Sequence, residues 1–356
     1  MVKSTNPPNI RSLSTQEIQD YFLANNQPKF RAKQVEQWVW QKHVKQFDEM
    51  TNLPLEVRTL LEENFTINEL TIEEKQVSND GTIKCAIKLH DGMVVEAVLI
   101  PAKDRMTACI SSQVGCSLSC KFCATGKLKR MRNLEPDEIF DQVVAVKNVA
   151  QEHYDKPLTN IVYMGMGEPL LNYKNVVTSA ERISNDMGLG MAARRITVST
   201  AGISKMIDRL ADDEVRFRLA LSLHAANDEK RSHIMPINDQ NSLESLEKSL
   251  KYFMQKSRNR ITYEYIVFKD FNDTLEDARE LYEFWDKVPG RINIIEYNPI
   301  DGGEFQQADP EKVDAFADFL ESRGVTVNVR RSRGKDIDAA CGQLANKNKL
   351  ANEALG

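Results

Sequence analysis

Three cysteines in one short stretch, Cys116, Cys120 and Cys123, stand at a C-x3-C-x2-C spacing. Three thiolates this close in the chain can ligate three irons of a cubane cluster and leave the fourth iron open, whereas a closed structural metal site normally recruits four protein ligands. The open iron can hold a substrate or cofactor. Two plainer accounts stand beside this one: a zinc site that borrows a distant fourth ligand, and cysteines buried for packing alone. Gly115, immediately before the first of them, permits an unusual backbone turn at that point.

Other groups able to do chemistry recur after runs that read as strands. Gly165, Gly167 and Glu168 follow NIVYM, Ser199 ends RITVS, Ser222, Leu223 and His224 end or follow FRLALSL, and Asn298 follows RINIIEY. Glycines let a backbone come close to a ligand, and a glutamate accepts hydrogen bonds from an ammonium. Taken singly, the others would cap strand ends and His224 would be an ordinary core histidine. Together they predict polar groups converging on one rim. On composition alone Cys85, Cys109 and Cys341 read as packing cysteines, and Glu96 reads as an exposed strand glutamate.

Positioning such groups requires a scaffold, and its period is legible. From Met106 onward, six units of strand, loop and helix follow in order, with strand runs MTACISS, NIVYM, RITVS, FRLALSL, ITYEYIVF and RINIIEY. Helical stretches such as SLESLEKSLKYFM place Leu243, Leu246, Leu250 and Phe253 on one face. This alternation predicts an α/β fold: a parallel sheet with crossover helices, either open or a full or partial barrel, with active residues on loops at the strands' C-terminal ends. A last run, GVTVNVR, closes or flanks that sheet. Ahead of the core, TIKCAIKL and MVVEAVLI, punctuated by Asn79-Asp80-Gly81 and Asp91-Gly92, predict a β-meander or hairpin. Residues 14–65 read as helices, with Ser14 or Thr15 as a cap, and mix Lys29, Arg31, Lys33, Lys42 and Lys45 with Phe30, Trp38 and Trp40. That mix suits RNA backbone contact or an ordinary amphipathic helix. The expected division is a helical module at 1–68, a hairpin connector at 69–104, the α/β core at 105–345 and a polar tail at 346–356.

Composition narrows the classes. A chain of 356 residues with 41% hydrophobic content can bury a full core. No apolar run stands near the start, and no later stretch approaches the ~18 apolar residues a bilayer crossing needs, so a cytosolic, cytoplasmic protein is expected. Six cysteines in such a chain speak for metal or redox chemistry rather than a disulfide scaffold. The balance of 47 basic against 52 acidic residues, a net of −5, argues against nucleic-acid binding by bulk charge. An RNA site must then be a local patch, and the candidates are Lys127, Lys129, Arg130 and Arg132, with Arg330, Arg331, Arg333 and Lys335.

From about Met106 to Gln343 the order of these parts resembles the radical S-adenosylmethionine (SAM) superfamily. The resemblance implies a partial (β/α)6 TIM-like barrel, a 4Fe–4S cluster, one per chain, on Cys116, Cys120 and Cys123, and SAM chelated to the open iron. It places Gly167, Glu168, Ser199, Ser222, Leu223, His224 and Asn298 around the SAM. A narrower resemblance rests on SSQVGCSLSCKFC, MGMGEPLLN, SLHAANDEKR, MPIN, YNP and DIDAACGQL, and is to the dual-specificity RNA methyltransferases that modify C2 of an adenine in 23S rRNA and tRNA. It implies two SAM per turnover, Cys341 as acceptor of a methyl group from the first, Cys109 as the thiol that resolves a later intermediate through a disulfide with Cys341, and Glu96 as proton acceptor. The helical module resembles that family's accessory RNA-binding domain, mainly in PKFRAKQVEQWVW. The chain is expected to work as a monomer, away from membranes, with an electron donor such as flavodoxin. A sister group methylates C8 of the same adenine with the same cysteines, and Pro169 with the IPA and EYNPI contexts favours the C2 group. A non-enzymatic iron–sulfur or zinc RNA-binding module is the third reading.

Overall fold

Val, Ile and Tyr dominate the core runs, and such residues fill a pleated surface that is covered on both sides. The structure, a computed structural model, describes residues 7–257 and 259–347. Residues 1–6 of the expected helical module and 348–356 of the expected tail lie outside the described residues. In chain order the strands are β1 (Thr71–Val77), β2 (Ile83–Lys88), β3 (Val94–Ala102), β4 (Arg105–Cys109), the two-residue β5 (Gln113–Val114) and β6 (Arg132–Asn133), β7 (Asn160–Tyr163), β8 (Ile196–Thr200), β9 (Arg218–Ser222), β10 (Ile261–Val267), β11 (Gly290–Glu296) and β12 (Thr326–Arg330). The α-helices are α1 (Thr15–Ala24), α2 (Arg31–Glu36), α3 (Leu55–Asn64), α4 (Pro136–Tyr154), α5 (Tyr173–Ser184), α6 (Ser204–Asp212), α7 (Asp228–Ile234), α8 (Leu243–Ser257), α9 (Leu275–Lys287) and α10 (Pro310–Glu321).

β1 to β4 pair antiparallel, and β4, β7, β8, β9, β10, β11 and β12 continue as parallel neighbours in one ten-stranded sheet. The expected α/β architecture is there in its open form: β1 and β12 are the two edges, and the GVTVNVR run adds an outer strand beside β11 rather than closing a barrel. Almost all of β10 is buried, as a strand covered on both faces must be. On α8, Leu243, Leu246, Leu250 and Phe253 are buried together, as their spacing predicts. Among the described residues no helix is long and apolar enough to cross a membrane.

Besides the two-residue β5 and β6, one longer strand has no sequence-based expectation behind it. β1 reads TIEEKQV, with charged residues where an alternating apolar pattern would be needed to recognise it, and its residues are only half-buried or exposed. It forms because the open edge of β2 offers unpaired backbone groups, and Lys75 sits opposite Cys85 in the register. Charged side chains on such an edge also discourage pairing with a second molecule.

The helical module starts with a capping box: Ser14 accepts from Glu17 N while the Glu17 carboxylate accepts from Ser14 N. Past α2 the chain makes a wide turn, with Lys42 N donating to Gln37 O at 3.1 Å. This turn carries Trp40 inward, where it is buried and meets Phe140 of α4 edge-on at 5.2 Å. Trp40 is therefore a docking residue rather than an RNA-facing aromatic, while Phe30 is 59% exposed. Polar docking is led by Arg11, whose terminal nitrogens donate to Asp141 at 2.8 and 2.7 Å and to Asn68 O at 2.5 Å, with Asp137 at 3.3 Å.

Removing one partner of a buried pair leaves the other uncompensated, at about 3–5 kcal/mol. Arg11→Ala is therefore expected to undock the module: amide exchange across residues 10–64 should speed up while the β-sheet stays protected. The same interface is acid-sensitive. His43 lies 5.6 Å from Phe140, and burial, followed by the Lys147 and Arg11 cations, lowers its pKa to about 4. An unfolded imidazole titrates near 6.5, so below that pH the unfolded chain binds a proton the docked one refuses. Docking should lose nothing above pH 6.5 and weaken progressively down to about pH 4. Amide exchange of the module at stepped pH checks this, and His43→Gln should flatten the dependence.

Candidate active site

The cysteine loop is closed at its base by the pairing of β5 with β6, which sets Gln113 opposite Asn133 and Val114 opposite Arg132. Gly115 then turns the chain with φ +74°, and a Cβ there would lie 2.2 Å from Lys129 O, so only glycine fits. Within the loop Cys123 N donates to Cys120 O at 3.2 Å and Gly126 N to Cys123 O at 3.1 Å, while Lys121 N ties the loop to Ile234 O at the end of α7 at 3.0 Å. Phe122, Leu118, Ile234 and Met235 pack around Cys120 and Cys123. Burial pushes the Cys116 thiol up to about 11 and those of Cys120 and Cys123 up as well, and at Cys120 the other two sulfurs add to the effect. Thiols held this way give up their protons readily only to a metal. Among the described residues no three His, Cys, Asp or Glu side chains converge to hold a single metal ion. A donor set of three neighbouring, half-buried thiols on one loop fits an iron–sulfur cluster with one open iron better than a closed zinc site.

Around this loop stand the ends of the parallel strands. Glu168 is buried, and its Oε1 accepts from Leu170 N (2.9 Å) and Thr200 Oγ1 (2.7 Å) while Oε2 accepts from Ala201 N (2.8 Å). Burial raises its pKa and these three hydrogen bonds oppose the rise. A carboxylate offers about four acceptor positions, so one on Oε2 is still open. The glycines before it are required by close packing: a Cβ on Gly165 would meet Ile110 C at 2.7 Å and one on Gly167 would meet Gln113 Cβ at 2.5 Å. Ser199 and Ser222 face each other with hydroxyls 3.3 Å apart, and Leu223 is fully buried. His224 has φ +56°, accepts from Ile266 N at Nδ1 (3.1 Å) and meets Phe122 edge-on at 4.7 Å. Burial lowers its pKa to about 3, so it is a neutral acceptor. Asn298 Nδ2 donates to Cys341 O at 3.2 Å, and its buried Oδ1 has no partner among the described residues.

The segment carrying Cys341 lies across the cysteine loop. Ala124 N donates to Gly342 O (2.7 Å), Thr125 Oγ1 to Leu344 O (2.6 Å) and Gln343 Nε2 to Pro299 O (3.1 Å). The Cys341 residue reaches solvent, yet protein packed around its sulfur raises the thiol pKa, with Arg330 opposing. Cys109, buried at the end of β4, is pushed up to about 12 by burial and then by Cys341, again with Arg330 opposing. The two thiols thus share one neighbourhood and one cation, and Arg330 is itself held by Glu264 at 3.3 Å. All six cysteines are free. The disulfide expected between Cys109 and Cys341 is therefore absent from this structure: the two sulfurs are not at bonding distance. Cys85 is buried in β2, its thiol pushed up to about 12.

Glu96 departs from the exposed strand glutamate that composition predicts. It is 1% exposed, lies 3.5 Å from Lys84 Nζ, and its Oε2 accepts from Ala345 N (2.9 Å) and Asn346 N (3.1 Å). It lines a cavity of about 330 Å³ with Lys84, Asp338 and Lys347. The basic patch is also reorganised. Arg132 is held by Asp91 and Glu138 (both 2.7 Å), Arg331 and Lys335 by Glu296 (2.6 and 3.1 Å), and Arg333 by Pro101 O (2.8 Å). Lys129 and Arg130 remain exposed. Gln113, Thr200 and Glu264, which the sequence did not single out, support the site together with Arg330, which it read only as part of a basic patch; Thr200 and Arg330 end β8 and β12, whereas Glu264 sits in the middle of β10.

The radical SAM superfamily model matches residues 110–284, and the model of the ribosomal RNA large subunit methyltransferase N-terminal domain matches residues 8–67. The chain is 60% identical over 338 residues to the probable dual-specificity RNA methyltransferase RlmN of Cytophaga hutchinsonii, covering 95% of this chain and 93% of that one. It is 39% identical over 355 residues to the dual-specificity RNA methyltransferase RlmN of Campylobacter fetus, covering 96% and 99%. A solved radical SAM methyltransferase from Sphaerobacter thermophilus superposes with a TM-score of 0.88 at 37% identity, covering 95% and 99%.

The loop geometry makes Gly115 a sensitive position. A side chain held at positive φ costs about 1–3 kcal/mol in backbone strain alone, and the Lys129 carbonyl must also move. Gly115→Ala is expected to keep the far-UV dichroism of the parent while losing most of the iron bound after anaerobic reconstitution.

Proposed function

The chain belongs to the dual-specificity RNA methyltransferases of the radical SAM superfamily, and from that premise we propose that it methylates C2 of a specific adenine in 23S rRNA and in tRNA. It does so through a methylated Cys341 and uses two SAM per turnover. The observation that carries the reading is the pair of desolvated thiols, Cys109 and Cys341, sharing Arg330 beside the three-cysteine loop.

Cys116, Cys120 and Cys123 would hold one 4Fe–4S cluster, and Gly167, Glu168, Ser199, Ser222, Leu223, His224 and Asn298 would surround SAM. The open acceptor position on Glu168 and the unpartnered Asn298 Oδ1 suit its ammonium and hydroxyl donors. When bound, the cluster and SAM supply a deoxyadenosyl radical by one-electron cleavage. The remaining steps belong to the chain. Adenine C2 is electron-poor and has no acidic proton, so it cannot attack a sulfonium methyl. Cys341 instead takes the methyl group from the first SAM as a thiolate, with Arg330 favouring loss of its proton. Abstraction of a hydrogen from that methyl leaves a carbon radical on the Cys341 side chain, which adds to C2 and tethers the RNA. One electron passes back to the cluster, when bound, and Glu96 takes the C2 proton, which requires Ala345 and Asn346 to release its Oε2. Cys109 then attacks the Cys341 sulfur: the S–S bond forms, the S–C bond breaks, and the methylated base departs with a proton. Two electrons from a donor such as flavodoxin reset the disulfide. Lys129 and Arg130, exposed beside the loop, and the N-terminal module would carry RNA contacts.

The two thiols act at opposite ends of the cycle, so their variants should stall differently. Cys109→Ala is expected to accumulate RNA covalently attached to the peptide 336–344, and Cys341→Ala to form no adduct. Nuclease and protease digestion followed by mass spectrometry reads both. An adduct on the Cys109 peptide, or none in either variant, would reassign the roles.

A further inference from the structure

One guanidinium in this protein is fully buried yet donates only to neutral groups. Arg231 of α7 is 0% exposed and heads the largest completely buried side chains. Its Nε donates to Leu223 O (3.1 Å), Nη1 to Asn238 Oδ1 (2.7 Å), and Nη2 to Ala201 O (2.5 Å) and Ser222 O (3.3 Å). Burial lowers its pKa to about 10, which still leaves it charged at neutral pH, and the groups that oppose this are Cys120 and then Asp228. A desolvated cation with no carboxylate in direct hydrogen-bonding contact is costly in a protein interior, and here Asp228 reaches it only through Asn238. The helix that carries it abuts the cysteine loop. Lys121 N is bonded to Ile234 O at the end of the same helix, and Ile234 packs in one cluster with Phe122, Cys120 and Cys123.

We propose that Arg231 is an electrostatic positioning residue whose buried guanidinium is the counter-charge of the cysteine-bound iron–sulfur cluster and raises the potential at which that cluster accepts its electron. The inference rests on the reading of Cys116, Cys120 and Cys123 as cluster ligands. No bond forms or breaks in the step it affects. One electron from a low-potential one-electron donor makes the cluster and its three thiolates one unit more negative. A fixed positive charge in a low-dielectric wall stabilises the more negative state more than the less negative one. The same side chain also ties together carbonyls at the ends of β8 and β9, so charge and hydrogen bonding must be separated by experiment.

Arg231→Lys keeps the charge and loses donors, while Arg231→Gln loses the charge. Full-length parent and variants are reconstituted anaerobically, iron is counted, and the cluster is titrated with dithionite under electron paramagnetic resonance, without RNA. Arg231→Gln is expected to retain iron and to shift its midpoint negative, so that the ratio of reduced to oxidised cluster at the parent midpoint falls about tenfold, or about 59 mV for one electron. Arg231→Lys should recover most of that shift even where its melting temperature falls as far as that of Arg231→Gln. An unchanged midpoint in Arg231→Gln, or equal shifts in both variants that follow their loss of stability, would overturn the proposal. If Arg231→Gln does not fold, Asp228→Asn removes the carboxylate that offsets the guanidinium and keeps an acceptor for Leu243 N. Its midpoint should move positive, and no movement would overturn the proposal equally. A parent protein that binds no iron would instead sink the cluster reading, and this inference with it.

Discussion

Two hydrogen bonds decide where the reactive end of the chain lies: Ala124 N to Gly342 O at 2.7 Å and Thr125 Oγ1 to Leu344 O at 2.6 Å. Each contributes on the order of 1 kcal/mol net, but leaving a buried donor or acceptor without its partner costs more than that. The last described segment is thereby locked onto a loop 219 residues earlier. From this lock follow the meeting of Cys341 with Cys109, the capture of Cys341 O by Asn298, and the capping of Glu96 by Ala345 and Asn346. The segment is at once the carrier of the proposed methyl group and the cover over the proposed base.

Glu168, Ser199, His224 and Asn298 on the rim beside this segment are buried, and the local electrostatics follow from that. His224 is held neutral, the thiols resist ionisation, and Glu168 is stabilised by hydrogen bonds from neutral donors rather than by a cation. In such surroundings each charge acts on the others far more than it would at a salt-screened surface. Arg330 and Arg231 are then the two cations with the greatest influence, one against the paired thiols and the other against the cysteine loop.

The N-terminal module follows different physics. It is joined to α4 by one bidentate ion pair and an edge-on aromatic contact, with Arg182 stacked 5.0 Å over Trp40. A net charge of −5 leaves RNA to be held by local cations, and most of the arginines suspected for that task turn out to be structural. RNA affinity in this chain must come from a few exposed groups and from shape.

The sequence by itself determined the order of the elements, because β-branched runs and helical apolar spacing are local periodicities that survive without tertiary context. It also determined the cysteine loop, whose ligand spacing lies within eight residues, Cys116 to Cys123. β1 was not legible, since its reason for being a strand is the unpaired edge of β2 rather than its own composition. Glu96 read as exposed because exposure depends on what folds over a strand, and that cover arrives from residues 345–346. Arg132 read as a free surface cation for the same reason: its carboxylate partners, Asp91 and Glu138, are set by the fold. Only the tertiary structure could decide that Cys109 and Cys341 share one neighbourhood, that the glycines of the GMGE turn make room for Ile110 and Gln113, and that Arg231 is buried with no carboxylate among its direct hydrogen-bond partners. Each of these is a contact between segments far apart in the chain, and neither residue type nor spacing encodes which distant surface a side chain will meet.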